Sequence, residues 1–211
     1  MNKGCMIVCD GGNGAGKTTV IKAIEEYLTR NHFEVVVTRE PGGTRIGEKI
    51  REVLLSADTP EMCDITELML FGAARAQHLQ EKILPAIQAG KIVVSDRFVA
   101  ATISFQHFAR GLNMPLINQI NQLVLNGFKP DMNIILDLDP AIGLQRVQSR
   151  GEGLDRLEAE KLSFLEKARH GYLQQAQNSP ECFEIVDASQ PLEAVIAQVL
   201  KIVDTVVMDH S

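Results

Sequence analysis

The sequence predicts an α/β fold of three layers: a five-stranded parallel sheet, flanking helices on both faces, and a lid inserted at about residues 146–158. Three observations predict it. Short apolar runs recur along the chain, each followed by a segment of helical periodicity, and that alternation builds parallel sheets. The runs are unbroken instead of alternating, as in strands buried on both faces. The first run leads into Gly11-Gly12-Asn13-Gly14-Ala15-Gly16-Lys17-Thr18, which fits G-x-x-x-x-G-K-[ST] in the strand–loop–helix setting this motif requires.

Met6 to Cys9 reads as the first strand, ending in Asp10. The glycine-rich loop lets successive backbone N–H groups point inward at phosphate oxygens, and the helix after it adds partial positive charge at its N-terminus. Lys17 can reach β- and γ-phosphates, and the Thr18 hydroxyl can ligate Mg²⁺. This is a site for a nucleoside triphosphate with magnesium. Helix one follows, with Ile21, Ile24 and Leu28 three and four apart. Glu34 to Thr38 is the second strand; Arg39-Glu40-Pro41-Gly42-Gly43-Thr44 then forces a turn, and Thr44 opens a helix to about Ser56. An arginine at the carboxyl end of a parallel strand is either solvated or lies where ligands bind in open α/β sheets.

Asp64 to Ala89 reads as one long helix, with Pro85 kinking it or starting a second segment. Phe71 and Arg75 lie one turn apart, so an aromatic face and a fork of donors could meet one ligand, although Phe71 alone reads as core. Lys91 to Ser95 is the third strand, followed by Asp96-Arg97; a carboxylate there can hold magnesium directly or through water. Thr102 to Gly111 contains Ser104-Phe105-Gln106 and then Arg110-Gly111, and Pro115 to Asn126 reads as another amphipathic helix. Asn133 to Leu138 is the fourth strand, with Pro140 in the first turn of a helix to about Arg150. From Arg146 to Arg156, three arginines and two glycines fall in eleven residues, a lid that can bring charge over a triphosphate. Glu158 to Gln177 is helical, Glu184 to Val186 is the fifth strand ending at Asp187, and Leu192 to about Val207 is the last helix.

The chain has 211 residues, 45% apolar and 23% charged, consistent with a single soluble domain over 1–211. Its net charge of −6 argues against a nucleic-acid partner. The four cysteines form no C-x-x-C pair, and Cys5 and Cys9 share a face of one strand too far apart to bridge, so reduced thiols in the cytoplasm are expected. The five histidines lack metal-ligand spacing, and no run is long enough to span a membrane.

Together the phosphate loop, Thr38-Arg39-Glu40-Pro41-Gly42-Gly43-Thr44, Phe71-Gly72-Ala73-Ala74-Arg75, Asp96-Arg97-Phe98, Gln106 with Arg110-Gly111, and Asp155-Arg156-Leu157-Glu158 resemble the thymidylate kinase family, of the bacterial type with lid arginines. The resemblance runs over essentially the whole chain. It implies a P-loop nucleoside monophosphate kinase that moves the ATP γ-phosphate to dTMP, giving dTDP, as a cytoplasmic homodimer. It implies ATP binding by Gly11 to Thr18 with Thr19, and by Asp187 near the adenine. Arg39 and Arg97 would hold the acceptor phosphate, with Asp10 on the acceptor side. Phe71 would stack on thymine beside Pro41, Arg75 would donate to O4, and Thr102 and Gln106 would read the base or sugar. Lys17, Arg97, Arg150 and Arg156 would neutralise the moving phosphoryl group, and Thr18 and Asp96 would hold Mg²⁺. Two stretches depart from the family pattern: Asn13 stands where an acidic residue is usual, and at 105–109 Phe105 replaces a common Tyr and His107-Phe108-Ala109 a glycine run. Other readings are a kinase of another nucleoside monophosphate, such as dUMP or a modified thymidylate, or a regulatory ATP-binding module.

Overall fold

The computed structural model describes residues 4–149 and 155–210. The strands are β1 (Cys5–Gly11), β2 (Val35–Arg39), β3 (Ile92–Asp96), β4 (Met132–Asp137) and β5 (Phe183–Asp187). All pair in parallel, in the order β2-β3-β1-β4-β5. β1 is therefore central, and the chain turns outward from it in both directions. Ligands bind at the carboxyl edge of such a switch point. Register brings the critical residues level there: Cys9 lies opposite Asp96, and Asp96 opposite Arg39.

Alternate β1 residues feed two cores. Cys5, Ile7 and Cys9 face α1 (Lys17–Arg30) and α9 (Leu192–Met208), meeting Val20, Ile24, Leu28, Val199 and Val203. Met6 and Val8 face the opposite way, against Leu79, Ile83 and Phe98. A third cluster joins Ile135 to Phe105, Phe164 and Tyr172. Both β1 cysteines are free thiols, and burial pushes the Cys5 thiol up to about 12.

Several boundaries differ from the sequence reading. β1 runs through Asp10 and Gly11, because both are wholly within the layers. The expected helix at 64–89 is continuous but not uniform: α3 (Asp64–His78), a π-helical stretch at Leu79–Ile83, and α4 (Leu84–Gln88), with Pro85 directly after the π-helical stretch. The segment 102–109 is helical. It is the end of α5 (Val99–Thr102) and a π-helical stretch at Ile103–Ala109. α8 (Leu162–Asn178) packs against this stretch: a Cβ on Gly171 would meet the Phe108 ring at 2.8 Å and Ser104 Cα at 2.9 Å. Local pattern gives no sign of this tertiary packing. α8 also starts four residues later than expected, since 155–160 form turns held by Asp155 Oδ1 accepting from Leu157 and Glu158 N–H. The remaining helices are α2 (Arg45–Leu55), capped by Thr44 as expected, α6 (Met114–Leu125) and α7 (Pro140–Gln148).

Candidate active site

The carboxyl ends of β1, β2 and β3 open into a cleft of about 300 Å³. Its floor is the glycine loop between β1 and α1. Gly14 has φ 76°, open to glycine at little cost, and it lies against the backbone of Gly143 on α7. Lys17 curls over its own loop, donating to Gly12 O at 2.9 Å and Gly11 O at 3.3 Å. Burial, and after it the neighbouring Arg97 charge, lower its pKa to about 8 against the opposing pull of Asp96 and Asp10.

This shift has a measurable consequence. Between about 8 and the ordinary lysine value near 10.5, the folded chain binds fewer protons than the unfolded chain, so its stability rises with pH across that window. Phosphate oxygens reverse the imbalance by favouring the ammonium. Nucleotide binding at pH 9 is therefore expected to take up protons. Calorimetry in two buffers of different ionisation enthalpy measures the uptake, and equal heats in both would contradict it.

Arg97 follows β3 in a left-handed conformation, φ 68°, a strained backbone that recurs at functional sites. Its backbone N–H donates to Cys9 O at 2.9 Å, and Ser95 Oγ donates to its carbonyl at 2.8 Å. Its guanidinium donates to Asp10 Oδ1, Gly11 O and Tyr172 Oη through Nη1, and to Asn13 Oδ1 at 2.6 Å through Nη2. Tyr172 Oη also donates to Asp10 Oδ1 at 2.6 Å. Burial pushes Asp10 up, countered by Arg97 and Tyr172, and its Oδ2 has no hydrogen-bond partner among the described residues.

A second cluster holds Arg75, 2% exposed. Its Nε donates to Glu40 Oε2 at 2.7 Å, Nη1 to Asn121 Oδ1 at 3.5 Å, and Nη2 to Phe98 O and Thr102 Oγ1. A guanidinium has five N–H groups, and these contacts use four. The fifth, on Nη1, stays available beside the cleft. Glu40 is fixed in turn by buried His78 Nδ1 at 3.1 Å, and His78 Nε2 meets Thr38 Oγ1 at 2.7 Å.

The cleft lining includes Asn13, Gly14, Gly16, Lys17, Thr18, Thr19, Arg39, Pro41, Phe71, Arg75, Asp96, Arg97, Thr102 and Gln106. Those expected residues, drawn from five stretches of chain, are brought together. Others are not. Gly11, Ala15 and Asp10 are buried behind the lining, with Asp10 contributing no atom to it but holding Arg97, and Gly12 lines an adjoining cavity instead. Asp187 ends the edge strand β5 and caps its own turn, accepting from Ser189 and Gln190, and is not among the residues that line this cleft. Arg156 is turned away too: its Nε donates to Leu54 O, and Nη2 lies 2.6 Å from Glu67 Oε2, off the hydrogen-bond direction. Arg150 lies outside the described residues. Arg146, from the same basic stretch, donates to Gly14 O. Arg39 is exposed and paired with Glu48 at 2.9 Å.

Sequence reasoning missed Tyr172, Glu40 as the Arg75 partner, and Arg51, which lines the cleft and donates to Pro41 O. A signal existed only for Arg51, three residues beyond Glu48 on one helix face.

The donor set suits magnesium. Asp96 Oδ1 is buried with no hydrogen-bond partner among the described residues, and the Thr18 hydroxyl lines the same cleft. No group of three or more His, Cys, Asp or Glu among the described residues could hold a metal alone. An ion here would take its other ligands from phosphates and water, as Mg²⁺ commonly does.

A family model described as thymidylate kinase matches residues 9–199. The thymidylate kinase of Geobacillus sp. (strain WCH70) is 47% identical over 199 residues, covering 94% of this chain and 95% of that protein. That of Clostridium novyi (strain NT) is 40% identical over 200 residues, covering 94% and 98%. The crystal structure of thymidylate kinase from Ehrlichia chaffeensis superposes with a TM-score of 0.75 at 30% identity, covering 95% of this chain and 98% of that one.

Proposed function

Because this chain belongs to the thymidylate kinase family, we propose that its cleft carries out that family's reaction, with the residue roles given below. The chain transfers the γ-phosphate of ATP to dTMP, giving dTDP and ADP. The observation that carries the role assignment is the joining of two sites in one cleft: the glycine loop with Lys17 at one end, and Phe71, Arg75 and Gln106 at the other.

Phosphoryl transfer needs little covalent help, because the dTMP phosphate oxygen is already anionic. It needs two nucleotides in line, little water, and positive charge around the moving group. Lys17 and the loop amides take the ATP phosphates. Arg97, between that loop and the acceptor end, takes the dTMP phosphate with Arg39, which leaves Glu48 to do so. Phe71 stacks on thymine, and the spare Arg75 N–H donates to O4. Thr18 and Asp96 would hold Mg²⁺, which when bound neutralises phosphate charge. Arg156, docked on Glu67, is given no part in this set.

The family match over residues 9–199 supports a single kinase domain. A homodimer is supported by exposed apolar side chains on contacting helices: Val53 on α2, Met69 on α3 and Leu123, 84% exposed, on α6. Sedimentation tests it, a monomer at micromolar concentration counting against it. No helix among the described residues is long and apolar enough to cross a membrane, which agrees with a cytoplasmic site of action. Incubation with γ-labelled ATP, Mg²⁺ and dTMP is expected to label dTDP, and chelation to abolish the label. Label released only as inorganic phosphate would sink the reading.

A further inference from the structure

Glu67 lies one helical turn before Phe71 on α3 and is 1% exposed, an unusual place for a carboxylate. Donors surround it. Oε1 accepts from Gln106 Nε2 at 2.9 Å and Arg110 Nε at 3.3 Å; Oε2 accepts from Arg110 Nη2 at 3.1 Å and pairs with Arg156. Burial pushes the carboxyl upward, but the hydrogen bonds from Arg110 and Gln106 and the arginine charges outweigh it and hold the group below the usual glutamate range. An ionised carboxylate can only accept. The Gln106 amide is therefore left with one orientation, its NH₂ toward Glu67 and its carbonyl away. Gln106 lines the cleft, and among the described residues its Oε1 accepts no hydrogen bond.

We infer that Glu67 is a specificity-setting positioning residue: by fixing the Gln106 amide, it makes that side chain a hydrogen-bond acceptor toward the acceptor base, beside the donor presented by Arg75. The inference rests on the dTMP kinase reading and adds a residue that touches neither substrate. Thymine offers the matching edge, O4 as acceptor and N3–H as donor. Cytosine offers the opposite edge, an amino donor and a bare N3. A reversed Gln106 would aim its NH₂ at the thymine N3–H and would suit cytosine instead. Arg110 and Arg156 keep the carboxylate charged, so the base reader is held by Glu67, 39 residues away, and through it by these two arginines.

The test is Glu67→Gln, nearly isosteric. A glutamine there can donate as well as accept, so Gln106 is no longer forced into one orientation. Steady-state kinetics with dTMP and dCMP are measured for both chains, with thermal melting alongside. The ratio of kcat/KM for dTMP over dCMP is expected to fall about tenfold, the scale of one charge-assisted hydrogen bond, while KM for ATP is unchanged. A variant that loses activity equally on both acceptors overturns the inference, because a purely structural carboxylate would act that way. Should Glu67→Gln fail to fold, Gln106→Met removes the carbonyl and leaves Glu67 in place. The same narrowing is expected from it, and an unchanged ratio overturns the inference. A wild-type chain with no preference for dTMP would overturn the activity reading itself, and this inference with it.

Discussion

Arg97→Ala is expected to lower kcat/KM for dTMP by about 10³-fold, the scale of arginines that neutralise a transferring phosphoryl group. ATP affinity is expected to stay within about threefold, since the loop amides and Lys17 remain. Burial works against the Arg97 charge, but Tyr172, Asp10 and Asp96 outweigh it and hold the guanidinium firmly protonated. Its backbone is tied to Cys9 and its head group to Asp10, Gly11, Tyr172 and Asn13, so the charge is fixed before any substrate arrives. Fixed charge of this kind costs no reorganisation during the reaction. Removing it also strips Asp10 of its cation. Asp10, already pushed up by burial, would then take a proton, and stability would fall by about 3 kcal/mol. Arg97→Lys separates the two effects: it keeps the charge, so melting recovers, but loses the fork that grips a phosphate. Isothermal titration with dTMP and with ATP reads the outcome. Equal loss of both ligands would contradict the assignment.

Gly143→Ala is the second large effect. Gly143 sits in α7, outside the phosphate motif, yet a Cβ there would press into the carbonyl oxygen of Asn13. A Cβ on Gly14 would in turn meet Gly143 Cα at 2.8 Å. Both obstacles are backbone, so neither can swing aside. The methyl must push the loop or the helix. A misplacement on the order of 1 Å costs roughly 100-fold in a positioned site, and ATP affinity is expected to fall by about that factor. Overpacking should cost about 1–3 kcal/mol of stability. dTMP binding in the absence of ATP is expected to change little, because Phe71, Arg75 and Gln106 lie at the other end of the cleft. Unchanged ATP affinity would show that α7 does not seat the loop.

Gly143 marks the limit of what the sequence reveals. The glycine loop, the Arg39-to-Thr44 turn and the Asp96-Arg97 pair are legible because each is a local pattern whose chemistry follows from spacing. The parallel sheet is legible because buried strands are unbroken apolar runs. What stays hidden is tertiary. Tyr172 reaches Asp10 across 162 residues, and Gln106 reaches Glu67 across 39. Neither spacing has a local signature. The helical form of 103–109 depends on Gly171 making room for Phe108, and the turning of Arg156 toward α3 depends on the buried charge of Glu67. A basic stretch read alone suggests phosphate; a buried carboxylate nearby competes for the same arginine. Asn13, in the glycine loop, has a visible task here, accepting from Arg97 Nη2. His107 and Phe108 stack edge to face with a centroid distance of 4.8 Å, and Phe108 meets His170 in the same way.

Selection of thymine at the base end of the cleft is the consequence that the roles of Phe71, Arg75 and Gln106 share. It is tested most directly by initial rates of ADP release with Mg-ATP and a panel of acceptors: dTMP, dUMP, dCMP, dGMP, UMP, CMP and AMP. dTMP is expected to give the highest kcat/KM. dUMP, lacking one methyl, should follow within about 10–200-fold, and dCMP, with its hydrogen-bonding edge reversed, should fall further behind. A panel in which dCMP matched or exceeded dTMP would contradict the roles given to Arg75 and Gln106.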